Sequence, residues 1–212
     1  MGLNILMGLN TKPSVSDYWS RNPIYHYPLI SDRISRDRYQ QISRYLHFAD
    51  NSTLSPPSTP GYDRLGKVRP LIQHIQERCK LVYNPGRELA VDEAMIKFQG
   101  RSSLKQYMPK KPTRRGIKVW VLADSSNGYF SRLEVYTGKK GKKVEKGLGA
   151  RVVKDLTSDF SHRWYMVYFD NFFTSKTLLC DLEENGVYGC GTARSDRLFF
   201  PAQLKNPGLK KR

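Results

Sequence analysis

The sequence has 212 residues, enough for one large domain or two small ones with a core that needs no disulfide support. Apolar residues make up 39% of the chain and aromatic residues 12%, which argues against a disordered linker protein. Lysine and arginine number 36 against 19 acidic residues. The resulting net charge of +17 indicates a polyanionic partner, with nucleic acid as the first candidate and an anionic membrane surface as the second.

We expect neither a secretory signal nor a zinc site from this sequence. No apolar run approaches the roughly 20 residues that span a bilayer, and the apolar start lacks the basic region and cleavage site of a secretory signal. Three cysteines are too few for a disulfide framework, which favours a reducing compartment, the cytosol or the nucleus. Without a CxxC or HxxxH pattern, zinc has no support.

The first part of the chain, residues 1–87, predicts helices joined by irregular segments. Ser35 can cap a helix that begins at Arg36, because a serine oxygen accepts a hydrogen bond from the first helical turn. Residues 52–61 contain three prolines and predict a loop or linker. A second helix is predicted after this linker from apolar residues that share one face: Leu71, Ile72, Ile75 and Cys79.

The remainder of the chain, residues 88–200, changes to the patterns of an α/β fold. Strands are predicted over residues 89–98, 117–123, 129–136, 164–169 and 187–193, and helices over 144–156 and within 171–184. The uninterrupted apolar run 164–169 is typical of a strand buried on both faces. The order β-β-β-α-β-α-β predicts an RNase H-like mixed sheet, in which the first and fourth strands lie side by side.

Two aspartates occupy positions that favour metal chemistry. Asp92 interrupts the first strand pattern and Asp170 ends the apolar run, where a carboxylate is costly unless a cation holds it. Carboxylate oxygens suit Mg²⁺ or Mn²⁺, and two such ions about 4 Å apart would clamp the oxygens of a phosphodiester displacement. Other interpretations stay open: Asp170 caps the following helix, Asp92 pairs with a basic residue, or Glu93 is the functional acid. Asp124, which precedes SSNG, is predicted to cap a turn.

The positive charge is concentrated in two stretches. Residues 97–118 hold eight basic residues and no acid, and residues 139–154 hold seven basic residues and one acid. Both flank strand-like segments, which predicts a surface that binds the phosphates of nucleic acid. The proline and glycine residues within them disfavour a membrane-binding helix. The predicted DNA contacts are Lys97, Arg101, Lys105, Lys110, Lys111, Arg114, Arg115, Lys118, Lys139, Lys140, Lys142 and Lys143.

Four strings in the second part of the chain carry a family resemblance. VDEAMIKFQGR, MPKKPTRRGIKVWVLADSSNGY, YFDNFFTS and VYGCGTARSDR resemble the piggyBac transposase family and its domesticated relatives. Upstream, SVSDYWSRNP and SRDRYQQISRYLHFADN resemble the helical dimerization and DNA-binding region of that family. The resemblance runs from about residue 2 to about residue 200. It implies an RNase H-like catalytic domain, preceded by this helical region, that cuts and joins DNA at TTAA sites.

The resemblance also implies a site. The family uses a triad of aspartates to bind two Mg²⁺ ions, and the first two members fall on Asp92 and Asp170. The third would lie beyond the strand that carries GTARSDR, and Asp196 within that string is not taken as a substitute. We therefore expect a C-terminally truncated chain with a basic tail over residues 201–212 and an incomplete triad.

Two functions follow from these expectations. The chain is either a transposase fragment that binds DNA, or a domesticated DNA-binding or oligomerizing protein without catalysis. The resemblance implies DNA as the partner, a possible homodimer, no membrane and a nuclear location.

Overall fold

A computed structural model describes residues 2–138, 145–197 and 200–205 of the chain. The predicted DNA contacts Lys139, Lys140, Lys142 and Lys143 lie outside the described residues, as do residues 206–212 of the predicted basic tail.

Four helices precede the sheet: α1 (Gly2–Leu9), α2 (Pro28–Ser31), α3 (Arg36–Tyr45) and α4 (Arg69–Val82). Short 3₁₀ turns lie at Val15–Trp19 and Asn51–Thr53. The predicted cap of α3 is confirmed, because the Ser35 hydroxyl accepts a hydrogen bond from the backbone N–H of Arg38 at 3.2 Å. Among the described helices, none has the length and hydropathy that a membrane span requires.

The sheet contains six strands: β1 (Glu88–Lys97), β2 (Lys105–Tyr107), β3 (Arg115–Asp124), β4 (Phe130–Val135), β5 (Met166–Phe169) and β6 (Tyr188–Gly191). Their order is β2-β3-β1-β5-β6, and β4 also pairs with β3. The pairs β1/β3, β2/β3 and β3/β4 are antiparallel, whereas β1/β5 and β5/β6 are parallel. The predicted mixed sheet is therefore confirmed, with the three-residue β2 as an addition.

Helices α5 (Leu148–Thr157) and α6 (Lys176–Glu184) cover one face of this sheet. Short 3₁₀ turns lie at Ser158–Phe160 and Ala202–Leu204. Buried apolar side chains from both helices, three strands and the segments next to them form one core: Leu89, Val91, Trp120, Leu122, Val152, Val153, Leu156, Phe160, Val167, Phe169, Phe173, Leu178, Leu182 and Val187. This core holds β1 and β5 rigidly against the helices, so residues at the ends of these strands have fixed positions.

Two predicted elements differ from those observed. The predicted strand 164–169 begins at Met166, because Trp164 has a φ of +56° and leaves 51% of its surface exposed. Only alternate residues of β5 are buried, since α5 and α6 cover one face of the sheet. The predicted helix 144–156 begins later, at Leu148, because Gly147 adopts a left-handed φ of 72°.

Candidate acidic site and basic groove

Asp92 and Asp170 occupy matching positions on two neighbouring parallel strands, Asp92 in the middle of β1 and Asp170 directly after β5. Val91 of β1 pairs with Phe169 of β5, and each of these residues is followed directly by one of the aspartates. Both aspartates are exposed. The predicted side-by-side position of these strands, β1 and β5, is confirmed. A catalytic role for the two aspartates stays a prediction.

The hydrogen bonds of Asp170 define a turn. Its Oδ1 accepts the backbone N–H of Phe172 at 2.8 Å, and its carbonyl oxygen accepts the hydroxyl of Thr174 at 2.9 Å. Helix α6 is capped by Ser175, whose hydroxyl accepts the backbone N–H of Leu178 at 3.2 Å. The interpretation of Asp170 as the cap of the following helix is therefore wrong, because Asp170 shapes the turn that precedes the cap.

Lys111 pairs with Glu93, which follows Asp92 in the middle of β1. Its ammonium is 3.1 Å from Oε1 of Glu93, with side-chain exposures of 32% and 13% for the two residues. Burial lowers the pKa of Lys111, but the hydrogen bond to Glu93 and the charges of Glu93, Asp92 and Asp170 outweigh this effect and raise the pKa overall. We call Asp92, Glu93 and Asp170 the acidic cluster.

The β2–β3 loop brings Lys111 to this position. The backbone N–H of Met108 donates to the carbonyl of Arg114 at 2.8 Å, and the backbone N–H of Lys111 donates to the carbonyl of Met108 at 3.2 Å. This turn leaves Lys110 exposed and half-buries Lys111. Lys110 and Lys111 therefore have different surroundings, although they are adjacent residues of the same type.

The described residues do not form a complete ligand set for Mg²⁺ or Mn²⁺. The oxygen donors of Asp92 and Asp170 suit a hard divalent cation, but a two-metal centre needs more than two carboxylates. Within residues 2–138, 145–197 and 200–205, no group of three His, Cys, Asp or Glu side chains is arranged to hold a metal ion. The cationic Lys111 is bonded to Glu93, the residue after Asp92, and the charges of Asp92 and Asp170 also act on it.

Basic residues from β1, β2 and β3 line an open groove of about 680 Å³, which we call the basic groove. Lys97, at the end of β1, is five residues from Asp92 along the strand, which corresponds to roughly 17 Å. Tyr107 is 60% exposed, and the guanidinium carbon of Arg115 lies 5.2 Å from its ring centroid. The residues that line the groove are Lys97, Phe98, Gln99, Lys105, Tyr107, Pro112, Thr113, Arg114 and Arg115.

Four of the predicted DNA contacts therefore meet in the basic groove: Lys97, Lys105, Arg114 and Arg115. Arg101 and Lys110 are exposed. Lys118 has an aromatic environment instead, with its ammonium 5.3, 6.0 and 5.2 Å from the ring centroids of Trp120, Tyr136 and Phe172. Side chains two residues apart on a strand share one face of the sheet, so Lys118 lies on the same face as Trp120. This alternation could have indicated the aromatic contact of Lys118.

Asp124 belongs to a turn, as the sequence predicts. Its carboxylate accepts the Ser126 hydroxyl at 2.6 Å, the Gly86 N–H at 2.7 Å, the Ser126 N–H at 2.8 Å and the Tyr83 hydroxyl at 2.8 Å. These hydrogen bonds, that from the Ser126 hydroxyl first, hold the pKa of Asp124 far below its usual range. Asp124 thus joins the end of α4 to the sheet.

The strand order of the mixed sheet and the helices on its face match those of a known class of protein. A family model described as Transposase IS4 matches residues 1–212, and the chain therefore belongs to this transposase family. The cryo-EM structure of the piggyBac transposase synaptic complex with hairpin DNA superposes with a TM-score of 0.81 and 28% identity. That match covers 97% of this chain and 43% of the solved chain, and it confirms the RNase H-like transposase fold.

Sequence relatives place the chain within the piggyBac group of this class. It is 34% identical over 218 residues to human PiggyBac transposable element-derived protein 3, a match that covers 100% of this chain and 36% of the relative. It is also 34% identical over 217 residues to human PiggyBac transposable element-derived protein 2, with 97% and 35% covered. The piggyBac resemblance is confirmed, and the chain spans about a third of the length of these relatives.

Proposed function

We propose that this chain is a DNA-binding part of a piggyBac-type protein and that the basic groove contacts the phosphate backbone. The observation that carries the proposal is the convergence of Lys97, Lys105, Arg114 and Arg115 in one open groove. The similarity to a transposase solved as a synaptic complex with hairpin DNA supports it.

The chemistry of the groove suits a phosphate backbone more than a base sequence. Each lysine or arginine that neutralises a phosphate releases condensed counterions, which makes the affinity strongly dependent on salt. Arginine side chains also bind a phosphate through two parallel N–H groups. The exposed ring of Tyr107 beside Arg115 offers a flat surface for a sugar or an unpaired base.

Fluorescence anisotropy with a labelled DNA duplex tests this proposal. We expect the variant Arg114→Ala/Arg115→Ala to bind about tenfold more weakly near physiological salt, with a slope of log affinity against log salt that is smaller by about two. Arg163→Ala is the matched control, since Arg163 is exposed but lies just before β5 and outside the groove. Equal affinities and slopes for the double variant and the control would overturn the proposal.

Three finer properties follow from the piggyBac relationship and are proposed with it. They are a preference for TTAA-containing DNA, a homodimeric state and a nuclear location. Competition between TTAA and scrambled duplexes tests the first, sedimentation velocity the second and imaging of the tagged protein the third. A scrambled duplex that competes as well as the TTAA duplex would contradict the sequence preference.

A non-catalytic role is the second candidate function, and the ion pair of Lys111 with Glu93 favours it. An ammonium bonded at the acidic cluster opposes the divalent cations that phosphodiester cleavage of this type uses. Strand cleavage in Mg²⁺ or Mn²⁺ separates the two candidates. Metal-dependent nicking that Asp170→Asn abolishes would establish the enzyme, whereas DNA binding without nicking would establish the binding protein.

A further inference from the structure

Tyr107 presents an aromatic ring to solvent in the basic groove, where it is 60% exposed. It pairs with Arg115 across β2 and β3, and Arg115 is five residues before the core residue Trp120 on β3. Side chains alternate between the two faces of a sheet, so Tyr107 and Arg115 lie on the face opposite to α5 and α6. The ring is therefore a surface feature and does not pack into the core.

Two cations with fixed positions accompany this ring. The guanidinium carbon of Arg115 lies 5.2 Å from the ring centroid, so the guanidinium covers one side of the ring. Lys105, two residues before Tyr107 on β2, lies on the same face of the sheet. Its ammonium donates a hydrogen bond to the carbonyl of Gly100 at 3.0 Å. The large exposed fraction of Tyr107 leaves the other side of its ring open beside these charges.

The groove also contains flat apolar groups next to its cations. Phe98 is 37% exposed, Pro112 is exposed, and both residues line the groove. A Cβ at Gly100 would come within 2.7 Å of the Phe98 ring, so the missing side chain lets this ring lie close to the backbone. A surface that binds phosphates alone needs only cations. Cations combined with exposed aromatic rings are typical of surfaces that bind single-stranded nucleic acid.

We propose that the basic groove takes a DNA segment with unpaired bases, and that one base stacks on the open side of Tyr107 while Arg115 and Lys105 neutralise adjacent phosphates. The inference rests on the proposed function and names the form of DNA that the groove prefers. In a duplex the neighbouring pairs cover the faces of each base, so only an unpaired base offers its face to the ring. The stacking itself adds no preference for particular bases, because every base has a flat face.

Three DNA duplexes of the same sequence test the proposal: one blunt, one with a single-stranded extension of thymidines, and one with an extension of equal length that lacks the bases. The abasic extension keeps the phosphates, so the ratio of the last two affinities isolates the contribution of the bases. Fluorescence anisotropy near physiological salt measures all three. We expect the wild type to bind the thymidine extension about tenfold more tightly than the abasic extension.

Variants of Tyr107 assign this preference to its ring. Tyr107→Leu removes the flat ring and should bind the two extended duplexes with affinities within about twofold of each other, whereas Tyr107→Phe should keep the wild-type preference. Tyr45→Leu is the matched control and should also keep it. Tyr45 is 69% exposed and has the guanidinium carbon of Arg44 5.9 Å from its ring centroid, but it lies on α3 outside the groove.

The proposal is overturned if the wild type binds both extended duplexes equally, if Tyr107→Leu keeps the preference, or if Tyr45→Leu loses it to the same extent. These results would refute this inference alone, provided that Arg114→Ala/Arg115→Ala still weakens the binding of all three DNAs. A double variant that binds all three DNAs as the wild type does would refute the proposed function, and this inference with it.

Discussion

The ammonium of Lys118 lies 5.2 Å from the centroid of the Phe172 ring, which connects β3 with the turn that follows Asp170. The same turn is held by the hydrogen bond from the backbone N–H of Phe172 to Asp170. Lys118 therefore helps to fix the position of Asp170 through an aromatic contact, although the two residues are far apart in sequence.

Replacement of Lys118 by methionine should destabilise the chain while leaving most of the DNA affinity. A cation–π contact of this kind is worth about 0.5–2 kcal/mol, and methionine keeps the apolar stem of the side chain. Chemical unfolding of Lys118→Met, Phe172→Leu and the double variant gives the coupling free energy. Additive losses would show that the two side chains do not interact, and a tenfold loss of DNA affinity in Lys118→Met would instead indicate a phosphate contact.

Asp170 should tolerate asparagine better than alanine. An asparagine Oδ1 can accept the same hydrogen bond from Phe172, whereas alanine removes it and costs about 1 kcal/mol in the free energy of unfolding. Urea unfolding of Asp170→Asn and Asp170→Ala measures the difference. Equal losses for the two variants would contradict the role of this side chain in the turn.

Gly116 should be intolerant of any side chain. A Cβ at this position would clash with the carbonyl oxygen of Ile96 on the neighbouring strand, and backbone cannot move aside as a flexible side chain can. We expect Gly116→Ala to lower the free energy of unfolding by about 1–3 kcal/mol. Gly8→Ala is the control, since a Cβ at Gly8 meets no atom within 4 Å. Similar stabilities for the two variants would refute the close approach of β1 and β3.

Acid should destabilise the chain partly through Asp124. Its folded-state pKa lies below the value of about 3.9 for an unfolded aspartate, so the unfolded chain binds a proton more readily. The stabilisation is fully present above that unfolded pKa and is lost as the pH falls below about 4. Asp124→Asn should lower the melting temperature at pH 7 by several degrees, and the gap to the wild type should narrow as the pH falls.

Melting curves between pH 7 and pH 3 measure this effect. Glu77→Gln is the control, because Glu77 is an exposed carboxylate of α4. A gap between Asp124→Asn and the wild type that stays constant over this range would contradict the prediction.

Local sequence patterns correctly predicted the structural features that depend on contacts between residues close together in the sequence. Ser35 caps α3 through a hydrogen bond three residues away, and Asp124 caps its turn through Ser126 two residues away. Such contacts depend on short stretches of chain, which a sequence contains directly. The pairing of β1 with β5 was also predicted, but only from the order of elements that an RNase H-like sheet shares.

Contacts between distant segments cannot be predicted from local sequence patterns. The ion pair of Lys111 with Glu93 depends on the turn of the β2–β3 loop, and no residue pattern specifies which of two adjacent lysines turns inward. Trp164 leaves the strand pattern through a positive φ, although its hydrophobicity matches that of its neighbours. Residue type predicts burial and charge, whereas these positions are set by loop geometry.

The parallel pairing of β1 with β5 has a consequence for synthesis on the ribosome. Glu88 pairs with Met166, so β1 leaves the exit tunnel long before its partner, while the β1/β3 ladder can form from segments made soon after one another. Asp170 can face Asp92 only after α5 and β5 have been translated. The basic β2–β3 loop is therefore synthesised before the segment that brings Asp170 beside Asp92.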